Sequence, residues 1–220
     1  MSQPMRFKEV EHKFLVDEDF DQAGFRERVL GLGPERTSRV EVADTYYVPR
    51  HRPGVILRHR FDAELQDLTL KSRDGGDTES RTEVTLKLEQ AAGDQQAGVR
   101  ALLDALLGAD GVLWQGALHK RLQAFYFPDC EIVYYEARTD RTGEPRGADA
   151  VVRCVEFEAR GARDLDEALR ILERYEQRTG FAGRPRSKRS LFDLLLAPQM
   201  ATATATATAT GGNPGKGAAG

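Results

Sequence analysis

Phe7-Lys8-Glu9-Val10-Glu11-His12-Lys13-Phe14-Leu15-Val16 is the stretch on which the reading of this chain turns. In a strand, side chains two apart share a face. Glu9, Glu11 and Lys13 then form a row on one face, and Val10, His12 and Phe14 occupy the other. Two carboxylates side by side repel unless a cation lies between them. A hard divalent ion with oxygen ligands would supply that cation. The ammonium next in the row would meet an anion held by the same metal. The alternative is a half-exposed strand with a solvated charged face. Whether such faces recur decides between the two.

They do recur. Turn signals at Arg52-Pro53-Gly54, Asp74-Gly75-Gly76-Asp77 and Arg141-Thr142-Gly143-Glu144-Pro145 punctuate the chain. The pattern predicts strands at 6–16, 40–48, 54–62, 66–73, 79–89, 117–127, 131–139 and 150–160. Arg58 and Arg60 share a face, as do Thr69 and Lys71, and Arg81, Glu83, Thr85 and Lys87. Strand 117–127 groups His119 with Arg121 and sets Lys120 opposite, and strand 150–160 groups Glu156 with Glu158. Helices are expected at 19–31, at 94–107, at 165–179 with Asp164 and Glu167 as a capping box and Gly180 as the stop, and briefly at 188–196.

Eight strands with few helices point to an α+β protein built on an antiparallel sheet closed into a barrel, since closure removes exposed edges. Two arrangements satisfy the alternation. The charged faces can point to water around an apolar interior, or helices can cover the apolar faces while the charges line a wet lumen. In the second, converging Lys and Arg would need a polyanion. Arg fits phosphate oxygens with its planar fork, and Lys acts as a point charge. Metal plus basic clamps around an anion is the equipment of phosphoryl transfer.

The bulk numbers agree with a soluble globular protein rich in charge, 30% Asp, Glu, Lys and Arg, whose net charge of −3 gives no global basic field for nucleic acid. No apolar run is long enough to span a bilayer, and the N-terminus lacks the apolar core of a signal peptide. Cys130 and Cys154 form no metal-ligand spacing and no disulfide framework; a disulfide between the two is the alternative to the reducing cytoplasm that is expected. The four histidines read as surface or packing residues. Five Ala-Thr pairs at 201–210 and the Gly-rich end bury nothing, so a folded part at 1–198 and a disordered tail at 199–220 are expected.

Over residues 6–196 the sequence resembles the CYTH domain, or triphosphate tunnel metalloenzyme, family. Glu9, Glu11 and Lys13 match its E-x-E-x-K signature. Asp44-Thr45-Tyr46-Tyr47 resembles its D-x-Y-Y/F segment, Leu57-Arg58-His59-Arg60 its L-R-x-R, and Thr69-Leu70-Lys71 its T-L-K. Arg81-Thr82-Glu83 resembles its R-x-E, Glu156-Phe157-Glu158 its late E-x-E, and Arg186-Ser187-Lys188-Arg189-Ser190 the basic segment before its last helix. Each motif is weak alone; their order makes the resemblance.

The resemblance implies an eight-stranded antiparallel tunnel with a charged interior that binds triphosphate-containing substrates with Mg²⁺ or Mn²⁺. It implies Glu9, Glu11 and Glu158 as metal ligands, with Glu156 and Glu83 nearby. Lys13, Arg58, Arg60, Lys71, Arg81, Arg121 and Lys188 become triphosphate contacts. A Lys and Tyr pair serves some hydrolases of the family, and Lys71 with Tyr46 or Tyr47 is the match. The sequence departs from the family in the sixth strand, where His119-Lys120-Arg121 stands for K-x-R, and in the seventh, where Glu136 is the substitute for an aspartate. The implied activity is hydrolysis of a triphosphate by a metal-dependent triphosphatase, with inorganic triphosphate first because it needs only charge recognition. The alternatives are thiamine-triphosphate hydrolysis, class IV-type adenylate cyclisation, and a non-catalytic polyphosphate-binding module.

Overall fold

The computed structural model describes residues 8–62, 66–72, 80–88, 95–108, 110–139 and 151–210. Within these ranges the side chains of residues 8, 80–82, 95, 96 and 204–210 are not described. Alternating charged and apolar residues give eight strands: β1 Lys8–Val16, β2 Arg36–Pro49, β3 Val55–Phe61, β4 Gln66–Ser72, β5 Ser80–Leu88, β6 Val112–Tyr126, β7 Cys130–Thr139 and β8 Val152–Ala159. All pair antiparallel in the ring β1-β5-β4-β3-β2-β6-β7-β8. The ring closes where β8 returns to β1, from Glu11 opposite Glu158 to Val16 opposite Arg153. The eight expected strands are therefore present, and the longest of them, β2 and β6, start four or five residues earlier than their alternation suggests.

The barrel is turned inside out relative to an ordinary one. The apolar face of β1 points outward: Val10 and Phe14 are buried with Ile132, Tyr134, Val155 and Phe157 of β7 and β8. Over them lie α1 (Gln22–Leu30), through Phe25 and Val29, and α3 (Leu165–Thr179), through Ala168, Ile171, Leu172 and Tyr175. Phe14 meets Phe157 and Phe181 edge-on, with ring centroids 5.7 and 5.0 Å apart. Each such fully buried ring is worth about 2–3 kcal/mol of transfer free energy. α3 starts where the sequence places it: the Asp164 carboxylate accepts from the Glu167 N–H, and Gly180 ends the helix at φ 81°. On the opposite side α2 (Gln95–Leu107) sets Val99 and Leu103 against Tyr47 and the outward leucines 57, 68 and 88.

The C-terminal helix does something different. A π-helical segment, Phe192–Leu196, runs directly into α4, Ala197–Thr210. Leu191, Phe192, Leu195 and Leu196 pack on Tyr46, Val48, Ile56, Leu118, Tyr135, Ala137 and Cys154. Tyr46 and Val48 are inward-facing, in the same parity as Asp44, so this segment fills one end of the lumen with apolar side chains. The expected short helix is real but longer. The Ala-Thr repeat is helical to Thr210 where its composition suggests a structureless tail. Alanine, the best helix former, alternates there with a β-branched residue that costs only a few tenths of a kcal/mol, ~0.5, per position. Cys130 and Cys154 are both buried free thiols. Among the described residues no helix is long and apolar enough to cross a membrane.

One buried polar network ties β1 to the C-terminal segment. The Glu176 carboxylate of α3, 3% exposed, meets His12 Nδ1 on the outer face of β1 and accepts from Arg186 at 3.0 Å. The Ser187 N–H then donates to the Lys13 carbonyl at 2.7 Å. Removing one member of a buried charged pair strands the others, at a cost of about 3–5 kcal/mol. Glu176→Ala should therefore lower unfolding free energy by about 3 kcal/mol in urea titrations. A change under about 1 kcal/mol would show the network to be dispensable.

Candidate active site in the barrel lumen

Pairing register brings the inward side chains of all eight strands to one lumen. At one end stand acids. Glu11 lies directly opposite Glu158, and Glu158 directly opposite Glu131 of β7. Burial pushes the Glu158 carboxyl well above the usual carboxylate range, and Glu9, Glu131 and Glu11 add to that push, with Arg160 opposing it. The Glu9 carboxyl is raised too, by burial first, against the pull of Lys71. Arg160, just past β8, pairs with Glu131 and, at 3.3 Å, with Glu158.

The middle of the lumen interleaves acids and bases. Lys13, 5% exposed, reaches Glu11 at 3.2 Å and Glu156 at 2.8 Å, and the Tyr135 hydroxyl donates to Glu156 at 2.7 Å. Burial alone would raise the Glu156 carboxyl, but Lys13 and the Tyr135 hydrogen bond hold it down to about 2. Lys71 spans Glu83 at 2.5 Å and Glu9 at 3.4 Å. Glu83 is likewise held at about 2: burial opposes, Lys71 and Arg58 prevail. Arg58 donates to Thr69 at 3.3 Å and to Glu83 at 3.4 Å. Its Nε is buried with no hydrogen-bond partner among the described residues. An orphaned buried donor is costly and asks for an acceptor.

The third cluster is the tightest. Asp44, fully buried, takes Arg60 in a fork at 2.8 and 3.0 Å and Lys120 at 2.5 Å. Burial favours the neutral acid, yet Arg60 and Lys120 hold the Asp44 carboxyl well below its usual range. Burial lowers Lys120 to about 8 despite Asp44, and Arg60 and Arg58 push the same way. One carboxylate faces two guanidinium or ammonium groups, leaving an excess of positive charge in this part of the lumen.

Glu9, Glu11, Lys13, Arg58, Arg60, Lys71, Glu83, Glu156 and Glu158 thus all reach the lumen, where the sequence parity puts them. Two expected residues do not. Arg121 is on the outer face, 67% exposed and paired with Glu41, because its neighbour Lys120 takes the inward position. Glu136 is also outward, paired with Arg153 at 3.0 Å; Tyr135 points inward instead, and the inward acid of β7 is Glu131. Tyr46 is inward and buried, but it packs on Phe192 with ring centroids 5.9 Å apart, whereas Lys71 lies between Glu9 and Glu83. Burial and Asp44 push the Tyr46 phenol up, so it can donate a hydrogen bond but does not ionise near neutrality. Lys188 is exposed, one residue past the Ser187 tie to β1. Arg81 lies opposite Glu9 along the backbone, and its side chain is outside the described residues.

Lys120, Asp44, Glu131 and Arg160 are site residues that the sequence reading missed. Leu118 and Leu122 flank Lys120 on its own face, which made that face look apolar. They are inward because the apolar C-terminal segment occupies this end of the lumen.

The closed antiparallel barrel thus holds acids at one place in its lumen and an excess of bases at another. The CYTH domain profile matches residues 8–127, and the chain belongs to the CYTH domain family. No curated protein matches the chain significantly. Its fold is similar to that of the PH1012 protein from Pyrococcus horikoshii OT3, at 18% identity and a TM-score of 0.59 over 85% of this chain and 99% of that one. It is similar to a chain of the Schizosaccharomyces pombe Mediator head module, at 11% identity and a TM-score of 0.55 over 82% and 100%. It is also similar to HpAC1 from Hippeastrum, a candidate adenylyl cyclase described as having a dominant triphosphatase activity, at 15% identity and a TM-score of 0.51 over 86% and 96%. This range of company is a reminder that a fold does not fix an activity; the site must.

Proposed function

We propose that this chain is a divalent-metal-dependent hydrolase of triphosphate-containing substrates, with inorganic triphosphate preferred. The observation that carries this reading is the inward set Lys13, Arg58, Arg60, Lys71 and Lys120 facing the same lumen as Glu9, Glu11 and Glu158. The Nε of Arg58, buried without a partner among the described residues, supports it, since a phosphate oxygen is a fitting acceptor.

The acid end fits a hard divalent cation by its chemistry. Glu9, Glu11, Glu158 and Glu131 offer only oxygen, and burial first, then the acids around it, push the Glu158 carboxyl up in spite of Arg160. No three acidic, histidine or cysteine side chains form a preformed metal site among the described residues. The oxygen-only donor set is what suits Mg²⁺ or Mn²⁺, hard ions that complete their shells with water and substrate phosphate. Glu9, Glu11 and Glu158 would hold the metal, which when bound polarises a phosphoryl oxygen and neutralises developing charge.

The chain's own residues do the rest. Arg58 and Arg60 hold phosphate oxygens in fixed orientation, Arg60 being braced from behind by Asp44. Lys13 and Lys71, each already between two carboxylates, swing little to meet the anion, so their charges are preorganised. Such preorganised charge is worth several kcal/mol of barrier, ~3–4 per donor removed. Of the catalytic pair carried over from the family, Lys71 stabilises charge on the transferring group and Tyr46, held protonated, can donate a hydrogen bond but not serve as a phenolate. Water attacks the terminal phosphorus, the bond to the bridging oxygen breaks, and diphosphate leaves.

The test is a panel of inorganic triphosphate, thiamine triphosphate and ATP with Mg²⁺ or Mn²⁺, read by phosphate and pyrophosphate release. Metal-dependent phosphate release, fastest from inorganic triphosphate, is expected. Pyrophosphate with cyclic AMP from ATP would identify a cyclase, and binding without turnover a polyphosphate-binding module. A second expectation separates neighbours on β6. Lys120→Met should weaken triphosphate binding by about tenfold or more, the loss of one buried charge, while Arg121→Met changes it less than about twofold. Calorimetric titration checks both. Truncation after Met200 should leave turnover unchanged, because the side chains that fill the lumen lie before it.

A further inference from the structure

The acid end carries its own cation. Arg160 is the residue immediately after β8, and its N–H is anchored on the Asp129 carbonyl at 2.9 Å. Its guanidinium joins two strands by pairing with Glu131 on β7 and with Glu158 on β8 at 3.3 Å. Burial would lower the Arg160 pKa, yet Glu158, Glu131 and Glu9 together raise it. Among the described residues every ion pair of Glu131 and of Glu158 is made with Arg160. Lys13 and Lys71 are committed elsewhere, to Glu11, Glu156, Glu83 and Glu9. The Arg160 side chain is 51% exposed, while Glu131 and Glu158 are 14% and 25% exposed. The cation can therefore leave for water; the acids cannot. Gly161, at φ 66°, follows it in the left-handed region that glycine adopts without strain.

We propose that Arg160 is the built-in counter-ion of the acid end and competes with the divalent cation for the oxygens of Glu131 and Glu158, so that it sets the metal affinity of the site. This rests on the metal-dependent reading above. The physical reason is that a guanidinium and a divalent ion a few ångströms apart repel strongly in a partly desolvated site. Metal occupancy must displace Arg160 from at least one carboxylate. Glu131 is thereby drawn into the metal environment although no sequence motif marks it. The competition lowers the apparent metal affinity, and without metal it leaves Glu131 and Glu158 compensated.

The test is Mn²⁺ binding to the full-length protein without any triphosphate, read from the electron paramagnetic resonance signal of free Mn²⁺. Arg160→Gln keeps length and a donor but removes the charge. It should bind Mn²⁺ about tenfold or more tightly than wild type, with a lower melting temperature without metal and a larger rise on adding Mn²⁺. Arg160→Lys keeps the charge but loses the fork, and should fall between the two. It also stands in if Arg160→Gln does not fold. Equal or weaker Mn²⁺ binding by a folded variant would overturn the counter-ion role while leaving the metal reading intact. Absence of Mn²⁺ binding in wild type and both variants would overturn the metal reading and this inference with it.

Discussion

Replacing Glu11 by Gln should reduce triphosphate turnover at least about a hundredfold, a loss of a few kcal/mol of transition-state stabilisation. Glu11 sits opposite Glu158 and beside Lys13. The amide keeps its size but not the charge that attracts a divalent cation. Burial first, and then its acidic neighbours, Glu11 among them, raise the Glu158 carboxyl, so the substitution relieves some repulsion. The substitution also gives up the Lys13 pair, although Lys13 keeps Glu156 at 2.8 Å, so metal-free Glu11→Gln should stay within about 1 kcal/mol of wild type while its stabilisation by Mn²⁺ shrinks. Thermal melts with EDTA and with Mn²⁺ separate the two effects. Full turnover in this variant would show that the acids do not hold a required metal.

The largest effect on stability is expected at Asp44. Asp44→Asn leaves Arg60 and Lys120 buried beside a neutral amide, at a cost of about 3–5 kcal/mol near neutral pH. The pH dependence has a definite sign. The Asp44 carboxyl is depressed in the folded state, so its contribution is complete above the unfolded value, about 3.9, and is lost as pH falls below it toward the folded one. The difference between wild type and Asp44→Asn should thus be constant from neutral pH down to about 5 and shrink in stronger acid. Urea titrations across that range measure it. A difference independent of pH throughout would mean that shape, not charge, is what the carboxylate provides.

The sequence was legible where strict alternation met a uniform environment. β1 lies entirely between helices outside and charge inside, so Glu9, Glu11 and Lys13 could be read directly from parity, as could Arg58 with Arg60 and Glu156 with Glu158. Parity could not say which face was inside, because an inverted barrel and an ordinary one alternate alike. The helices settle it by covering Val10, Phe14 and Phe157. Parity failed where the lumen itself turns apolar. The π-helical segment Phe192–Leu196 packs on Leu118, Tyr135 and Ala137, so the inward faces of β6 and β7 look like core. Arg121 and Glu136 stand one position out of phase with Lys120 and Tyr135, and the acid of β7 is Glu131 at its start. The tail misled for another reason: composition without an apolar face suggests nothing to bury, but alanine carries a helix without burial.

In the proposed function the inverted lumen brings a metal and a triphosphate together to react. Phosphate release from inorganic triphosphate by the purified chain, titrated with Mg²⁺ and Mn²⁺, tests it most directly. Saturable release of one phosphate per triphosphate, leaving diphosphate, is expected; it should stop with EDTA and return with added metal. Folded protein that releases no phosphate at any metal concentration, or releases it undiminished in EDTA, would contradict it.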